Sequence, residues 1–194
     1  MIRGGRNPAS LTGSDAFIAD LTSDQGAASL VTAAVEAAGR LDGVVIAAGV
    51  VAFGPATDVS DAALNELFEI NALAPIRLMR AATPHLVKSA ADGHEPFIVT
   101  ISGVVSETPT AGLAAYSASK TALAGFVQAA TRELRRSGIR LLDARPGHTE
   151  TGLATRAIEG TAPAFPTGLD PDAVAARIVT AIVENEKDLP STAF

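Results

Sequence analysis

Residues 97–153 read FIVTISGVVSETPTAGLAAYSASKTALAGFVQAATRELRRSGIRLLDARPGHTETGL, and this stretch decides the fold of the protein. It contains two short apolar runs, Phe97–Ile101 and Ile139–Ala144. Uninterrupted apolar runs of this length, each followed by Ser, Gly or Pro, are typical of strands that are buried on both faces. Between them, Ala114–Ser137 has the spacing of a long helix. The stretch therefore predicts a strand, a helix and a second strand parallel to the first.

The same alternation continues on both sides of this stretch. The remaining predicted strands and helices are Phe17–Ala19, Gln25–Ala38, Gly43–Ala48, Asp61–Ala91 and Pro171–Asn185. We therefore predict an α/β fold of the doubly wound Rossmann type, in which a parallel sheet carries helices on both faces and ligands bind beyond the carboxyl ends of the strands. A length of 194 residues fits one domain, residues 1–194.

Three local features modify this pattern. Ser23 and Asp24 can cap the first helix. Pro75 and Pro84 remove hydrogen-bond donors from the second helix, so we expect that helix to be kinked or divided. The irregular stretch Gly147–Gly168 is long for a compact domain, and such loops usually carry function or move.

The composition excludes several classes of function. Hydrophobic residues make up 47% of the chain and charged residues 19%, which predicts a compact fold. A net charge of −6 argues against a nucleic acid or an anionic membrane as the main partner. No apolar run is long enough to span a bilayer, and no secretory signal is visible. The absence of cysteine excludes disulfides and fits a reducing compartment, so we predict a cytoplasmic protein. His85 and His94 lack partners at metal-ligand spacing, so we predict no metal site.

Tyr116 and Lys120 form the strongest chemical signal in the sequence. They stand four residues apart in a predicted helix, so their side chains project from one face, one turn apart. A nearby cation favours the phenolate and lowers the pKa of a tyrosine from its reference value of about 10. The chain has one tyrosine and three lysines, so chance gives this spacing in about 2% of cases. The pair predicts a proton-transfer site, and the alternative is an exposed pair on a helix surface.

Together with Asn71 in the preceding helix and the Pro146-Gly147 turn after the next strand, this pair resembles the short-chain dehydrogenase/reductase family over roughly residues 1–190. The resemblance implies an oxidoreductase that moves a hydride between a nicotinamide dinucleotide and a small-molecule carbonyl or secondary alcohol. It also implies that Tyr116 is the general acid/base, that Lys120 tunes it and binds the nicotinamide ribose, and that Asn71 holds a water against the lysine. Members are commonly homodimers or homotetramers, and we expect the same here.

The resemblance also assigns cofactor-binding residues. Arg6 follows a strand at the position that selects the nucleotide in the family. An arginine there can pair with the 2′-phosphate of NADP, whereas an acidic residue, which is absent here, would bind the ribose 2′-hydroxyl of NAD. NADP is therefore favoured over NAD, and the alternative is that Arg6 is a solvated terminal charge. The other predicted contacts are Asp20 and Leu21 at the adenine, Ala48 and Gly49 after the VIA strand end, and Pro146, Gly147, Thr149 and Thr151 at the nicotinamide.

The sequence departs from the family pattern in three places. Gly103 stands where the family has a serine that polarises the substrate carbonyl, which leaves Ser102 and Ser106 as candidates. Adjacent strand residues face opposite ways, so Ser102 reaches the site only if the strand end bulges. Ile46 and Ala47 replace two asparagines. The family's opening strand and glycine-rich phosphate loop have no counterpart, and this absence predicts unpaired strand edges in the middle of the sheet.

Two interpretations of these departures stay open. The chain is either a fragment of a longer enzyme or a degenerate member that binds its cofactor weakly. In the second case, the protein is a non-catalytic relative that acts as a binding or oligomer-assembly subunit.

Overall fold

Strands and helices alternate along the chain in a computed structural model that describes residues 1–9, 11–23 and 25–194. In chain order the elements are β1 (Arg3–Gly5), β2 (Ala16–Ile18), α1 (Gly26–Ala38), β3 (Gly43–Ile46), α2 (Asp61–Phe68), α3 (Ala74–Ala91), β4 (Phe97–Ile101), α4 (Ala114–Leu134), β5 (Arg140–Ala144) and α5 (Pro171–Val183). Every predicted strand and helix therefore has a counterpart, with ends that differ by a few residues.

The strands are parallel throughout but form two sheets. β1 pairs with β2, and β3, β4 and β5 form the second sheet in that order. Within the described residues no strand joins β1 to β3. This division agrees with the unpaired strand edges that the sequence predicted from the missing counterpart of the family's opening strand. After α5, Leu189 pairs with Ala144 in a parallel bridge that lies alongside β5.

Helices cover both faces of the three-stranded sheet, as predicted for a doubly wound fold. In β4, Ile98 packs with α1, α3 and α4, whereas its neighbour Val99 packs with α5. Leu141 and Leu142 divide between the same two cores in β5. All four side chains are almost completely buried. Both faces of these strands therefore require apolar residues, which explains why the runs show no polar alternation.

The predicted second helix is divided, as its prolines suggested. Residues Glu69–Leu73 form a π-helical turn between α2 and α3, and Pro75 lies in the first turn of α3. Proline is tolerated in a first turn because its missing N–H has no intrahelical acceptor there. Pro84, in contrast, lies inside α3 and does not end it. The wider turn places Asn71 at the helix junction, and such turns often occur at functional sites.

The start of α1 differs from the sequence-based expectation. The residue before the helix is Gln25, and it makes no side-chain capping bond. The Ser23 hydroxyl donates instead to the Asp20 carbonyl oxygen at 2.8 Å, so Ser23 does not cap the helix. Asp24, the other predicted cap, lies outside the described residues. A Cβ on Gly26 would lie 1.7 Å from the same carbonyl oxygen, so only glycine fits this turn.

None of the helices in the described residues is both long enough and apolar enough to cross a lipid bilayer.

Candidate active site

Lys120 brings three elements together at the carboxyl ends of the strands. It lies in the second turn of α4, its side chain is only 6% exposed, and its ammonium donates to the Ile101 carbonyl oxygen at the end of β4 (2.8 Å). A Cβ on Gly49, just beyond β3, would lie 3.5 Å from the Lys120 Nζ and 3.3 Å from the Asn71 Oδ1. The structure therefore assembles Lys120, Asn71 and Gly49 as the sequence predicted.

Burial sets the charge state of this lysine. It lowers the pKa of Lys120 to about 8, and the carboxylate of Asp143 opposes that change. Among the described residues, the Ile101 carbonyl oxygen is the hydrogen-bond acceptor of the Lys120 ammonium. Two of the three N–H groups of the ammonium therefore remain available to other groups.

Tyr116 lies one turn before Lys120 and faces the same region. Its ring packs against two apolar clusters that include Val50 and Phe53, and the Lys120 Nζ lies 6.0 Å from the ring centroid. Burial raises the pKa of Tyr116 to about 12. This direction is opposite to the lowering expected from Lys120, and its cause is desolvation of the phenol. At neutral pH the hydroxyl is protonated and suited to donate a proton.

Asn71 is fully buried, and its side chain braces the strand end. Its Oδ1 accepts from the Val50 N–H at 2.9 Å, and its Nδ2 donates to the Val50 carbonyl oxygen at 2.9 Å and to the Ser119 hydroxyl at 3.0 Å. Ser119 in turn donates to the carbonyl oxygen of Tyr116 (2.8 Å). The amide thus links the loop after β3 to the helix turn that carries Tyr116 and Lys120. Sequence reasoning assigned it a water and did not find these contacts.

The backbone after β4 explains why glycine replaces the expected serine. Gly103 has φ 76° and ψ 165°, a conformation that a residue with a side chain rarely adopts. The N–H groups of Ser102 and Gly103 both donate to the Ala144 carbonyl oxygen, at 3.1 and 3.3 Å, which is the two-against-one pairing of a bulge.

The bulge does not bring the Ser102 hydroxyl to the surface of the site. Ser102 is fully buried, and its hydroxyl donates to the Asp143 Oδ2 at 2.5 Å. Ser106 is partly exposed, and its Oγ lies 2.8 Å from the Gly103 carbonyl oxygen and 3.0 Å from the Ser102 Oγ. Of the two candidate serines, Ser106 is therefore the one whose hydroxyl is accessible.

The loop after β5 lies against the turn after β4. The Val104 N–H donates to the Pro146 carbonyl oxygen (2.9 Å), and the Thr149 hydroxyl donates to the Gly147 carbonyl oxygen (3.0 Å). Thr149 also pairs with Leu169 in a parallel bridge, which fixes the start of the long irregular loop. Thr151 is exposed at the end of this turn. These residues thus lie at the same sheet edge as Lys120.

The predicted adenine-end residues follow the two-stranded sheet. Asp20 is exposed after β2, and its Oδ1 accepts from the Thr22 N–H at 3.0 Å and the Thr22 hydroxyl at 2.7 Å. These bonds hold the pKa of Asp20 below its ordinary value, with a smaller contribution from Arg6. The Arg6 guanidinium is 59% exposed and lies 4.0 Å from Glu66. Leu21 packs against the main core. Ala48 is exposed beyond β3.

Asp143 is a buried carboxylate close to the site that the sequence analysis did not single out. It lies within β5 and is 7% exposed, and its Oδ1 accepts from the Thr100 hydroxyl at 2.7 Å while its Oδ2 accepts from Ser102. The available signal was an acidic residue inside an otherwise apolar buried run, RLLDA.

Comparison with known proteins places this geometry in a family. A sequence profile of the family described as short chain dehydrogenase matches residues 10–161. The oxidoreductase YmfI of Bacillus subtilis is 30% identical over 135 residues, which cover 70% of this chain and 53% of that protein. Ipsdienol dehydrogenase of Ips pini is 28% identical over 148 residues, which cover 72% of this chain and 58% of that protein. The chain thus spans about half the length of the curated relatives it matches.

Solved structures share the fold. A 3-ketoacyl-(acyl-carrier-protein) reductase from Brucella melitensis, complexed with NADH, aligns with a TM-score of 0.80 at 22% identity, over 92% of this chain and 77% of that one. A short-chain dehydrogenase from Sphingobium yanoikuyae, in complex with NADPH, aligns with a TM-score of 0.75 at 26% identity, over 90% of this chain and 66% of that one. The profile match spans most of the chain, including Asn71, Tyr116 and Lys120, and the chain therefore belongs to the short chain dehydrogenase family.

Proposed function

We propose that this protein is an NADP-preferring oxidoreductase that reduces the carbonyl group of a small molecule, or oxidises the corresponding secondary alcohol. The observation that carries this proposal is the position of Tyr116 and Lys120. They lie one helical turn apart, beside Gly49, at the edge where the parallel strands of the sheet end.

The residues at this edge fit the nicotinamide end of a dinucleotide. Lys120 is buried and has two N–H donors left over from its bond to Ile101, which suits the two hydroxyls of a ribose. Gly49 has no side chain where a Cβ would approach the Lys120 ammonium, so a ligand can come close to the backbone there. Pro146 and Gly147 line the same edge. When bound, the nicotinamide supplies or accepts the hydride.

The proton is handled by the chain itself. Because burial raises the pKa of Tyr116 to about 12, its hydroxyl is protonated at neutral pH and donates a proton to the oxygen of a carbonyl substrate. We assign to Ser106 the second hydrogen bond to the substrate oxygen, since Ser102 is buried and donates to Asp143. To make this bond, the Ser106 hydroxyl turns away from the Gly103 carbonyl oxygen, to which it donates in this structure.

Arg6 supports the preference for NADP. Its guanidinium is exposed at the carboxyl end of β1, where its partner Glu66 lies at 4.0 Å, a distance that leaves its donors available to a phosphate. The solved relatives named above include one complex with NADPH and one with NADH, so nicotinamide dinucleotides as a class are supported more strongly than NADP itself.

The substrate side is apolar. Phe165, from the long irregular loop, lies 5.9 Å from Phe53 and 4.8 Å from His148 between ring centroids. A cleft of about 140 Å³ is lined mostly by apolar residues, among them Phe53 and Leu113, together with the carboxylates of Asp58 and Glu159. We infer that the substrate is a small, largely apolar carbonyl compound.

The remaining attributes follow the family. We infer that residues 1–194 form one domain, that the protein is cytoplasmic, and that it assembles as a homodimer or homotetramer. Leu73 and Phe126, which are large apolar side chains exposed on the helical face, support the assembly.

Dinucleotide binding tests the proposal directly. NADPH and NADH are titrated against the protein, with nicotinamide fluorescence and thermal stability as readouts. We expect NADPH to raise the melting temperature more than NADH does, and we expect Arg6→Ala to remove the difference. The same melts with Lys120→Ala report the nicotinamide end, and Lys88→Ala is the control at an exposed lysine.

A second candidate is a non-catalytic binding or assembly subunit. Gly103 in place of the family serine favours it. If neither dinucleotide changes the melt of this chain, and none does so after an upstream segment is restored, this second function replaces the first. A response that appears only after the restoration marks a truncated enzyme and retains the first function.

A further inference from the structure

A carboxylate lies buried behind the proton-transfer pair without being part of it. Asp143 is 7% exposed in the middle of β5, between two fully buried apolar neighbours, Leu142 and Ala144. Two hydroxyls donate to it, Thr100 at 2.7 Å and Ser102 at 2.5 Å. A charged side chain at such a position is destabilising unless it is paired, so its presence calls for a role.

The hydrogen bonds connect Asp143 to Lys120 through two consecutive residues. Ser102, whose hydroxyl donates to Asp143, directly follows Ile101, whose carbonyl oxygen accepts from the Lys120 ammonium at 2.8 Å. The carboxylate therefore fixes the strand end on which the ammonium is seated.

Asp143 is the carboxylate whose charge acts on Lys120, although the two form no direct ion pair in the part of the chain that the structure describes. The titratable neighbours of Lys120 are Tyr116 on α4 and Asp143 on β5, and the π-helical turn contributes the uncharged amide of Asn71. Arg145 approaches Asp143 only at 3.5 Å.

The charge of Arg145 is largely satisfied by two other acidic residues. It pairs with Glu107, and it pairs with Asp188 at 2.6 Å. Arg145 nevertheless lies nearer to Asp143 than the Lys120 ammonium does, so the charge of Asp143 acts on both cations.

We propose that Asp143 is a positioning residue of the oxidoreductase site, which holds the end of β4 in place through Ser102, and with it the Ile101 carbonyl oxygen that accepts from the Lys120 ammonium. This inference rests on the function proposed above for Tyr116 and Lys120. The electrostatic effect agrees with the geometry, because Asp143 raises the pKa of Lys120 against the larger lowering by burial.

The three lysines of the chain make the charge of Lys120 measurable without any cofactor. In protein labelled with ¹³C and ¹⁵N at lysine, NMR titration should show a resonance with a midpoint near pH 8, which is assigned to Lys120. In Asp143→Asn the Lys120 midpoint should fall by about one pH unit, since the charge of an opposite partner has been removed. At pH 8 this lowers the ammonium fraction about fivefold.

Asp188→Asn is the matched control. Asp188 also pairs with Arg145, but its side chain is 65% exposed and belongs to the C-terminal segment. Its substitution should leave the Lys120 midpoint in place. An unchanged midpoint in Asp143→Asn, or an equal change in both variants, would overturn the proposal.

A measurement on the unaltered protein covers the case in which Asp143→Asn does not fold. The ¹³Cγ resonance of Asp143 should show an inflection at the pH where Lys120 titrates, because the two charges interact. A flat Asp143 resonance through that pH contradicts the proposal.

The kinetic readout separates this inference from the proposed function. If the protein reduces a carbonyl substrate, Asp143→Asn should move the alkaline limb of the kcat/KM profile to lower pH, and Asp188→Asn should not. If the unaltered protein neither binds a dinucleotide nor turns over, the proposed function fails, while the NMR midpoints still decide whether Asp143 acts on Lys120.

Discussion

Replacing Lys120 with methionine should make this protein more stable at neutral pH while removing its activity. The wild-type ammonium is buried, and its pKa of about 8 lies below the ordinary value of 10.5 for a lysine. A difference of 2.5 between these two values corresponds to about 3 kcal/mol of destabilisation at pH 7. Methionine fills a similar volume without charge, but it leaves the Ile101 carbonyl without its donor, which costs about 1 kcal/mol. The expected net gain is about 2 kcal/mol.

The pH dependence gives this prediction its sign. The unfolded lysine binds more protons than the folded one between pH 8 and 10.5, so the unfolding free energy of the wild type rises with pH across this window. Below pH 8 the full destabilisation by Lys120 is present. The advantage of Lys120→Met should therefore be complete at pH 7 and lost by pH 10.5.

Urea unfolding followed by circular dichroism at pH 7 and pH 10 measures both effects, and the chain has no tryptophan whose fluorescence could serve instead. Tyr116, whose pKa is raised to about 12, lowers stability above pH 10, but it does so in both proteins and cancels in the difference. Lys88→Met, at an exposed lysine, is the control and should change little. A variant at Lys120 that is less stable than the wild type at pH 7 would refute the reasoning, because it would mean that the ammonium is not desolvated.

Three further predictions concern the same site. Tyr116 is the only tyrosine, so the absorbance rise at 295 nm should have its midpoint near pH 12 in the folded protein and should disappear in Tyr116→Phe. Turnover of Tyr116→Phe should fall about 10²- to 10⁴-fold. A midpoint below pH 10 would contradict the argument that burial raises the pKa of Tyr116. Asn71→Ala leaves the N–H and the carbonyl of Val50 unpaired, so it should lower the unfolding free energy by about 2–4 kcal/mol in urea titrations. A loss below about 1 kcal/mol would show that the Asn71–Val50 hydrogen bonds do not hold the strand end in place. Ser106→Ala should reduce kcat about 10²-fold with little change in melting temperature, and full activity of this variant would exclude the role assigned to Ser106. Gly103→Ser should lower the unfolding free energy by about 1–2 kcal/mol, because the residue at this position has a positive φ, and it should not raise kcat.

Much of the fold could be predicted because it depends on local pattern. Strands covered on both faces are mostly apolar and show no polar alternation, and Phe97–Ile101 shows this in its sequence, with Thr100 as its one polar residue. Pro75 likewise predicted a division of the second helix, although its sequence does not specify that the division is a π-helical turn. The pairing of Tyr116 with Lys120 was also visible, since a spacing of four residues fixes their common face in any helix.

The sequence by itself therefore determined the alternation of strands and helices, the family, and the common helix face of Tyr116 and Lys120, the pair to which we assign proton transfer. Only the tertiary structure decided the chemical state of that pair and the residues that support it. The pKa of Tyr116 is raised rather than lowered because the ring is desolvated by residues from distant loops. Asn71 and Ser119 meet across 48 positions, and Ser102 and Asp143 across 41. Contacts of that separation arise when the strand ends converge at one edge of the sheet, and no local pattern in the chain encodes them.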